Sequence, residues 1–177
     1  MTTIEPPAAE CWLSSDVRVA PSSIEGQGLV ATQRILAGTP IARLGGQLVT
    51  DDELRDLFDN AAEGDYVDTV SIDEAVNLVL PPGEPLHAGN HGCDPSMWWS
   101  DPYTLVARRD IATGEELTLD YATITDDTNY WLDCRCGAQA CRGSVTGRDW
   151  QLPALQHAYA EHWVPVLRRR IAALAGG

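Results

Sequence analysis

Three cysteines spaced C-x-C-x4-C, Cys134, Cys136 and Cys141, stand one ligand short of a tetrahedral thiolate site, and Cys93, far upstream, is the candidate fourth. If all of them hold one metal, two distant stretches of chain are welded together, and few folds satisfy that condition. One stretch reads Asn90-His91-Gly92-Cys93-Asp94-Pro95; the other begins with the strand-like Gly114-Glu115-Glu116-Leu117-Thr118-Leu119-Asp120-Tyr121 and runs into the cysteine cluster. A site closed by thiolates keeps no position open for water or substrate, so the ion expected is a structural Zn2+. Exposed thiols or a disulfide pair are the alternative reading. The remaining cysteine, Cys11, is left over.

At 177 residues the chain is large enough to bury its own core as one domain without disulfides. No stretch stays apolar for the roughly 18 residues a membrane span needs, so no membrane partner is expected. Met1 to Glu10 has neither the basic start nor the apolar run of a secretory signal. An odd number of cysteines without an export signal points to a reducing compartment, and a cytoplasmic location is the expectation. The net charge of −14, from 26 acidic and 12 basic residues, argues against direct contact with nucleic acid, whose phosphates are met by Lys and Arg. It favours a basic partner, although acidity also serves solubility. All 12 basic residues are arginine. A G+C-rich coding sequence disfavours lysine codons and accounts equally for the single Phe, which suggests a bacterial source.

Residues 1–15 are rich in Pro and Ala and are expected to form a disordered tail. Beyond them come short β-rich runs, 29–32, 41–49, 66–72, 76–80, 104–107 and 117–121, each bounded by Gly, Pro or Asp. That spacing predicts a mostly β domain of several small sheets. One helix interrupts it: Thr50-Asp51-Asp52-Glu53 is a capping box, Leu54, Leu57 and Phe58 form an apolar face, and Gly64 lies past the end. Arg34-Ile35-Leu36-Ala37-Gly38 and Arg109-Asp110-Ile111-Ala112-Thr113-Gly114 are similar, each predicted as a turn feeding a strand. From Trp150 to Leu174 the period becomes helical, with Leu152, Leu155, Tyr159, Trp163, Val166 or Leu167, Ile171 and Leu174 recurring, Pro153 in a first turn and Pro165 at a kink or new start. This appendage is expected to pack back on the domain, with a dimer contact or partner surface as the alternative. Arg168-Arg169-Arg170 reads as a solvated face near a helix C-terminus.

In order, Gly26-Gln27-Gly28, Arg34 to Ile41 with Gly45-Gly46, the Asn90-His91 segment, Gly114 to Tyr121 and the cysteine cluster resemble the SET domain with its post-SET zinc motif, the fold of protein lysine methyltransferases. The likeness runs from about residue 16 to 146. It implies a SET-type β-clip fold with a pseudoknot, divided into a tail 1–15, a SET domain 16–125, a post-SET zinc motif 126–146 and a C-terminal helical extension 147–177. It also implies a protein-lysine N-methyltransferase that uses S-adenosylmethionine and acts on a lysine-bearing basic protein or peptide, histone-like or ribosomal in type. Tyr121 matches the family's catalytic tyrosine, whose hydroxyl sits near the transferring methyl. Asn90 and His91 match the pair that contacts the cofactor. Gly26, Gln27 and Gly28 match an element whose glycines admit the cofactor's methionine end. Zn2+ would sit on Cys93, Cys134, Cys136 and Cys141, folding the tail after Tyr121 over the cofactor site. Tyr66, Trp99, Leu119 and Trp131, with Trp98 beside them, are candidates for the lysine channel. Without the family, a Tyr ending a strand and these Trp side chains read as plain core.

The chain also departs from the family's pattern. His87-Ala88-Gly89 stands where relatives carry Arg-Phe-hydrophobic, Gly92 where Ser is usual and Ser96 where Asn is usual. Leu119 occupies a position, often Phe or Tyr, that the family links to the number of methyl groups added. These changes bear on substrate and methylation number more than on fold. Two other readings stand: a SET-like binding module that has lost catalysis, against which Asn90, His91 and Tyr121 together argue, and a methyltransferase whose acceptor is a small amine.

Overall fold

The computed structural model describes residues 5–62 and 67–176. In chain order its elements are β1 (Trp12–Leu13), β2 (Val17–Pro21), β3 (Gln27–Ala31), β4 (Pro40–Arg43), β5 (Gln47–Thr50), α1 (Asp51–Asn60), β6 (Thr69–Asp73), β7 (Val76–Val79), β8 (Met97–Trp99), β9 (Thr104–Ala107), β10 (Glu116–Leu117), β11 (Trp131–Asp133), β12 (Ser144–Thr146), α2 (Pro153–Tyr159) and α3 (Pro165–Ala175). The strands form small antiparallel sheets, β1-β4-β9-β8, β10-β3-β2 and β5-β7-β6, and the hairpin β11-β12. The expected mostly β fold of several small sheets is what forms. Half-buried strands alternate, as β6 does by burying Val70 and Ile72, whereas β9, between β4 and β8, is buried on both faces.

The two similar turns lie against each other. Ile35 and Ile111 exchange both backbone hydrogen bonds, at 3.0 and 2.8 Å, and the glycines that end the turns take matching left-handed conformations, φ +80° at Gly38 and +82° at Gly114.

The run 41–49 breaks at Gly45-Gly46 into β4 and β5, which belong to different sheets. A Cβ at Gly45 would lie 2.1 Å from the Glu10 carbonyl oxygen, so the N-terminal segment threads through space that only glycine leaves. Residues 5–15, expected as part of a disordered tail, are therefore laid on the domain: Gly46 N–H donates to Ala8 O at 2.8 Å, Tyr103 Oη donates to Glu5 O at 2.8 Å, and β1 pairs with β4. Backbone partners along that path outweigh its Pro-rich composition.

The expected strand 117–121 is also shorter than its pattern. Only Glu116–Leu117 pair with β3; Leu119 then forms a parallel bridge with His91, exchanging hydrogen bonds with the backbone of Asn90 and Gly92 at 3.1 Å each. Two distant segments are thereby held side by side through their backbones. A Cβ at Gly92 would meet Thr118 Oγ1 at 2.5 Å, so glycine lets the segments close, while Ser96 Oγ accepts the Thr118 N–H at 3.1 Å. Tyr121 does not end a strand but opens a 3₁₀ turn, 121–123, capped by Asp120 Oδ1 on Ala122 N at 3.0 Å.

In α1 the capping box forms as expected, Thr50 Oγ1 accepting from Glu53 N and Glu53 Oε2 accepting from Thr50 N. Its apolar face stays open, with Leu57 43% and Phe58 50% exposed. Gly64 and Tyr66 lie outside the described residues. The C-terminal period resolves into two helices, each starting on its proline. Tyr159, Trp163, Val166 and Leu167 are buried in the main core with Met97 and Trp99, each contributing about 1.5–3 kcal/mol, so the appendage packs back on the domain.

Candidate functional site

The sulfurs of Cys93, Cys134, Cys136 and Cys141 all lie within 4.8 Å of one another, and Cys93 Sγ is 3.7 Å from Cys134 Sγ. A tetrahedron of ~2.3 Å zinc–sulfur bonds has edges of about 3.8 Å. Each sulfur also faces a backbone N–H: Arg142 N on Cys93 at 3.3 Å, Cys136 N on Cys134 at 3.5 Å, Cys93 N on Cys136 at 3.5 Å and Gly143 N on Cys141 at 3.4 Å. Those dipoles favour thiolate. Burial pushes the Cys93 thiol up to about 11, a penalty that a divalent cation among the sulfurs reverses. Spacing, charge and hydrogen bonding fit Zn2+ in a closed structural site.

His91 joins this cluster to Tyr121. The Tyr121 N–H donates to His91 Nδ1 at 3.2 Å, which leaves the ring proton on Nε2, 3.2 Å from Cys93 Sγ. Burial, opposed by the nearby Asp120 carboxylate, pulls His91 down to about 4, so the ring is neutral at neutral pH.

Two cavities flank Tyr121. The larger, of about 780 Å³, has Leu29, Met97, Trp99 and Leu119 as apolar floor and Asp51, Asp68, Asp126 and Asp127 among its other walls. The smaller, of about 140 Å³, is bounded by Ile24, Glu25, Asn90 and His91 on one side and Leu132 to Arg135 on the other. Among the described residues Tyr121 alone lines both. Its hydroxyl donates to Gly89 O at 2.6 Å, which fixes the ring as the partition.

Asn90 organises the smaller cleft. Its Nδ2 lies within 3.1 Å of Ser22 Oγ, Glu25 O, Gln27 O and Glu116 Oε1, so it pins the loop before β3 to β10. None of the Asn90 hydrogen bonds among the described residues uses Oδ1, which leaves that oxygen as an acceptor for a ligand ammonium. Glu25 adds a carboxylate, and its pair with Arg135 at 3.1 Å joins the two banks. These groups fit a cationic, amine-bearing ligand with an apolar moiety. A ligand pocket usually encloses about 300–1,000 Å³, so S-adenosylmethionine would reach beyond this cleft.

The other residues singled out in the sequence fall unevenly. Trp99 and Leu119 line the larger cavity. Trp131 is 64% exposed and lines neither cavity, and Trp98 stacks on His162 with ring centroids 3.5 Å apart, away from both. Gly26, Gln27 and Gly28 are not in the lining of either cavity; the face of Gly28 is filled by the Glu116 side chain, and Gln27 contributes its carbonyl to Asn90. Sequence reasoning missed Asp120, Arg142, Asp149 and Tyr159. Arg142 forms a two-pronged ion pair with Asp120, its Nε donates to Asp149 at 3.0 Å, and Tyr159 Oη donates to Asp120 Oδ2 at 2.7 Å. The positions of Asp120 beside Tyr121 and of Arg142 beside Cys141 were the available signal.

The SET domain family model matches residues 26–122, more than half of the chain, and the protein belongs to that family. Among curated proteins it is similar to Histone-lysine N-methyltransferase ATX2 of Arabidopsis thaliana, 33% identical over 135 residues, which cover 70% of this chain and 12% of that protein. It is similar to Histone-lysine N-methyltransferase 2B of Homo sapiens, 29% identical over 136 residues, 71% of this chain and 5% of that one. It is also similar to Histone-lysine N-methyltransferase trr of Drosophila melanogaster, 30% identical over 138 residues, 72% of this chain and 6% of that one. The chain thus spans a small part of these relatives. The methyltransferase domain of human Histone-lysine N-methyltransferase SETMAR has the same fold, with TM-score 0.60 and 22% identity over 74% of this chain and 58% of that one.

Proposed function

We propose that the protein is an S-adenosylmethionine-dependent protein-lysine N-methyltransferase whose acceptor is a lysine in a basic protein segment. The observation that carries this reading is Tyr121 standing as the shared wall of two cavities, one apolar-floored and acid-rimmed, the other built around Asn90 and Glu25. The relatives' names agree with it.

When bound in the smaller cleft, S-adenosylmethionine supplies an electrophilic methyl group on a sulfonium. Asn90 Oδ1 and the Glu25 carboxylate would hold its cationic end, and Ile24 and Leu132 would pack on its apolar surface. On the other side, Met97, Trp99 and Leu119 strip water from an entering lysine, which favours the neutral amine over the ammonium. The Tyr121 hydroxyl, held against Gly89 O, orients that amine at the junction. Zn2+ would act on shape alone: Leu132 to Arg135 form one bank of the cleft and contain or adjoin two cysteines of the cluster. The four acidic residues in the larger cavity, with the net charge of −14, favour basic residues around the acceptor.

The test is to incubate lysine-rich basic proteins and small amines with the protein and methyl-labelled cofactor, and to locate the label. Label on protein lysines is expected. Label on small amines alone would replace the acceptor, and cofactor binding without transfer would mark a binding module.

A further inference from the structure

The C-terminal extension lies beyond the residues matched by the family model, 26–122, yet it is tied to both sides of Tyr121 and, through Asp126, to a wall of the larger cavity. Tyr159 Oη donates to Asp120, immediately before the tyrosine, and the Val164 N–H that precedes α3 donates to Thr123 O, just after it, at 3.2 Å. From that anchor α3 runs along β6. Val166 and Leu167 are buried beneath it, which leaves the arginines of the next turn directed at acids on two other segments. Arg169 pairs with Asp73 at the end of β6. Arg170 donates through Nε and Nη2 to Glu74, at 3.1 and 2.8 Å, and pairs through Nη1 with Asp126. Arg168 and Arg169 are exposed, as expected of a solvated face, but Arg169 and the half-buried Arg170 also carry ion pairs that the sequence did not mark.

Of these acids Asp126 lines the larger cavity, beside Ile124 and Thr125, while Asp73 and Glu74 end and follow the strand whose Thr69, Val70 and Ser71 line it. One guanidinium thus ties two separate wall segments together, and planar, forked arginine suits that task as lysine does not. We propose that α3 is a clasp on this cavity, and that Arg170 is a positioning residue that sets the spacing of its walls and so the affinity for the acceptor peptide. The identity of the occupant rests on the function proposed above; the clasp does not.

Exposed ion pairs are weak one by one, so removing Arg170 should loosen the walls without unfolding a helix held by buried Val166 and Leu167. The full chain carrying Arg170→Ala is compared with wild type by hydrogen exchange, by kinetics on a basic single-lysine peptide and by calorimetry of the cofactor. Faster exchange is expected in both 68–73 and 124–127, with peptide KM raised about three- to tenfold and cofactor Kd within about twofold of wild type. Arg170→Lys should recover part of the KM, because it reaches one acid at a time. Unchanged exchange in those segments overturns the clasp, as does a parallel loss of cofactor affinity, which would mean general destabilisation. If wild type methylates no peptide, the functional reading falls, and exchange alone still decides the clasp.

Discussion

Arg142 places both terminal guanidinium nitrogens 2.7 Å from the two carboxylate oxygens of Asp120, a residue with no exposed surface. Because Asp120 precedes Tyr121 and Arg142 follows Cys141, this one pair carries the position of the cysteine cluster to the tyrosine. Tyr159 and Asp149 complete the shell, so the buried charges are paired and hydrogen-bonded.

Removing one partner leaves the other charge buried alone, which costs about 3–5 kcal/mol. Arg142→Leu should lower stability by that order in urea unfolding, and Arg142→Lys should not rescue it, because an ammonium cannot serve both oxygens of Asp120 and reach Asp149. A loss below about 1 kcal/mol would show that the network is ornamental.

Purified protein should carry close to one zinc per chain, since the four sulfurs already approach tetrahedral spacing. Metal analysis of Cys93→Ser and Cys136→Ser should find it lost from both. A full complement in Cys93→Ser would remove that residue from the ligand set.

How far the sequence could be read depended on whether a feature was local. The cysteine spacing is a short-range covalent constraint, and the helical period with prolines at 153 and 165 is a local pattern; both reappear in three dimensions. Asn90 and Tyr121 were legible through motifs, and their meeting at one cleft follows from the pairing of His91 with Leu119. The Asp120–Arg142 pair spans 22 residues and no local pattern marks a partner at that distance. β1, β8 and β10 are two or three residues long, too short for alternation to show. Trp131 is exposed because aromatic character signals burial only on average, and among the described residues its strand pairs with β12 alone.

Asn90 and Tyr121 should separate in kinetics. Asn90→Ala removes the pin of the smaller cleft, a loss of about 1–3 kcal/mol felt already in the ground state, so calorimetry should show cofactor Kd raised about fivefold or more. Tyr121→Phe keeps the partition and deletes the hydroxyl, so cofactor Kd should hold while kcat falls about 10²-fold or more. Equal effects of both variants on cofactor binding would contradict the division of the site.

Asp68, facing His87 Nδ1 at 3.2 Å in the larger cavity, has its carboxyl raised by burial, with the histidine opposing. A carboxyl raised in the folded state contributes stability that is full below its ordinary range and is lost as pH rises through the folded value. Asp68→Asn should therefore gain on wild type as pH rises from below the usual Asp range, and the gain should level off above the raised value. Denaturant midpoints across pH test this; a difference independent of pH would contradict it.

The account turns on a methyl group crossing from one cavity to the other at Tyr121. The most direct measurement is single-turnover mass spectrometry with methyl-labelled S-adenosylmethionine and a basic peptide carrying one lysine, alongside the same peptide with that lysine replaced by arginine. Label is predicted on the lysine side-chain nitrogen, formed far more slowly by Tyr121→Phe and absent from the arginine peptide; cofactor that binds while no lysine peptide ever acquires label would contradict it.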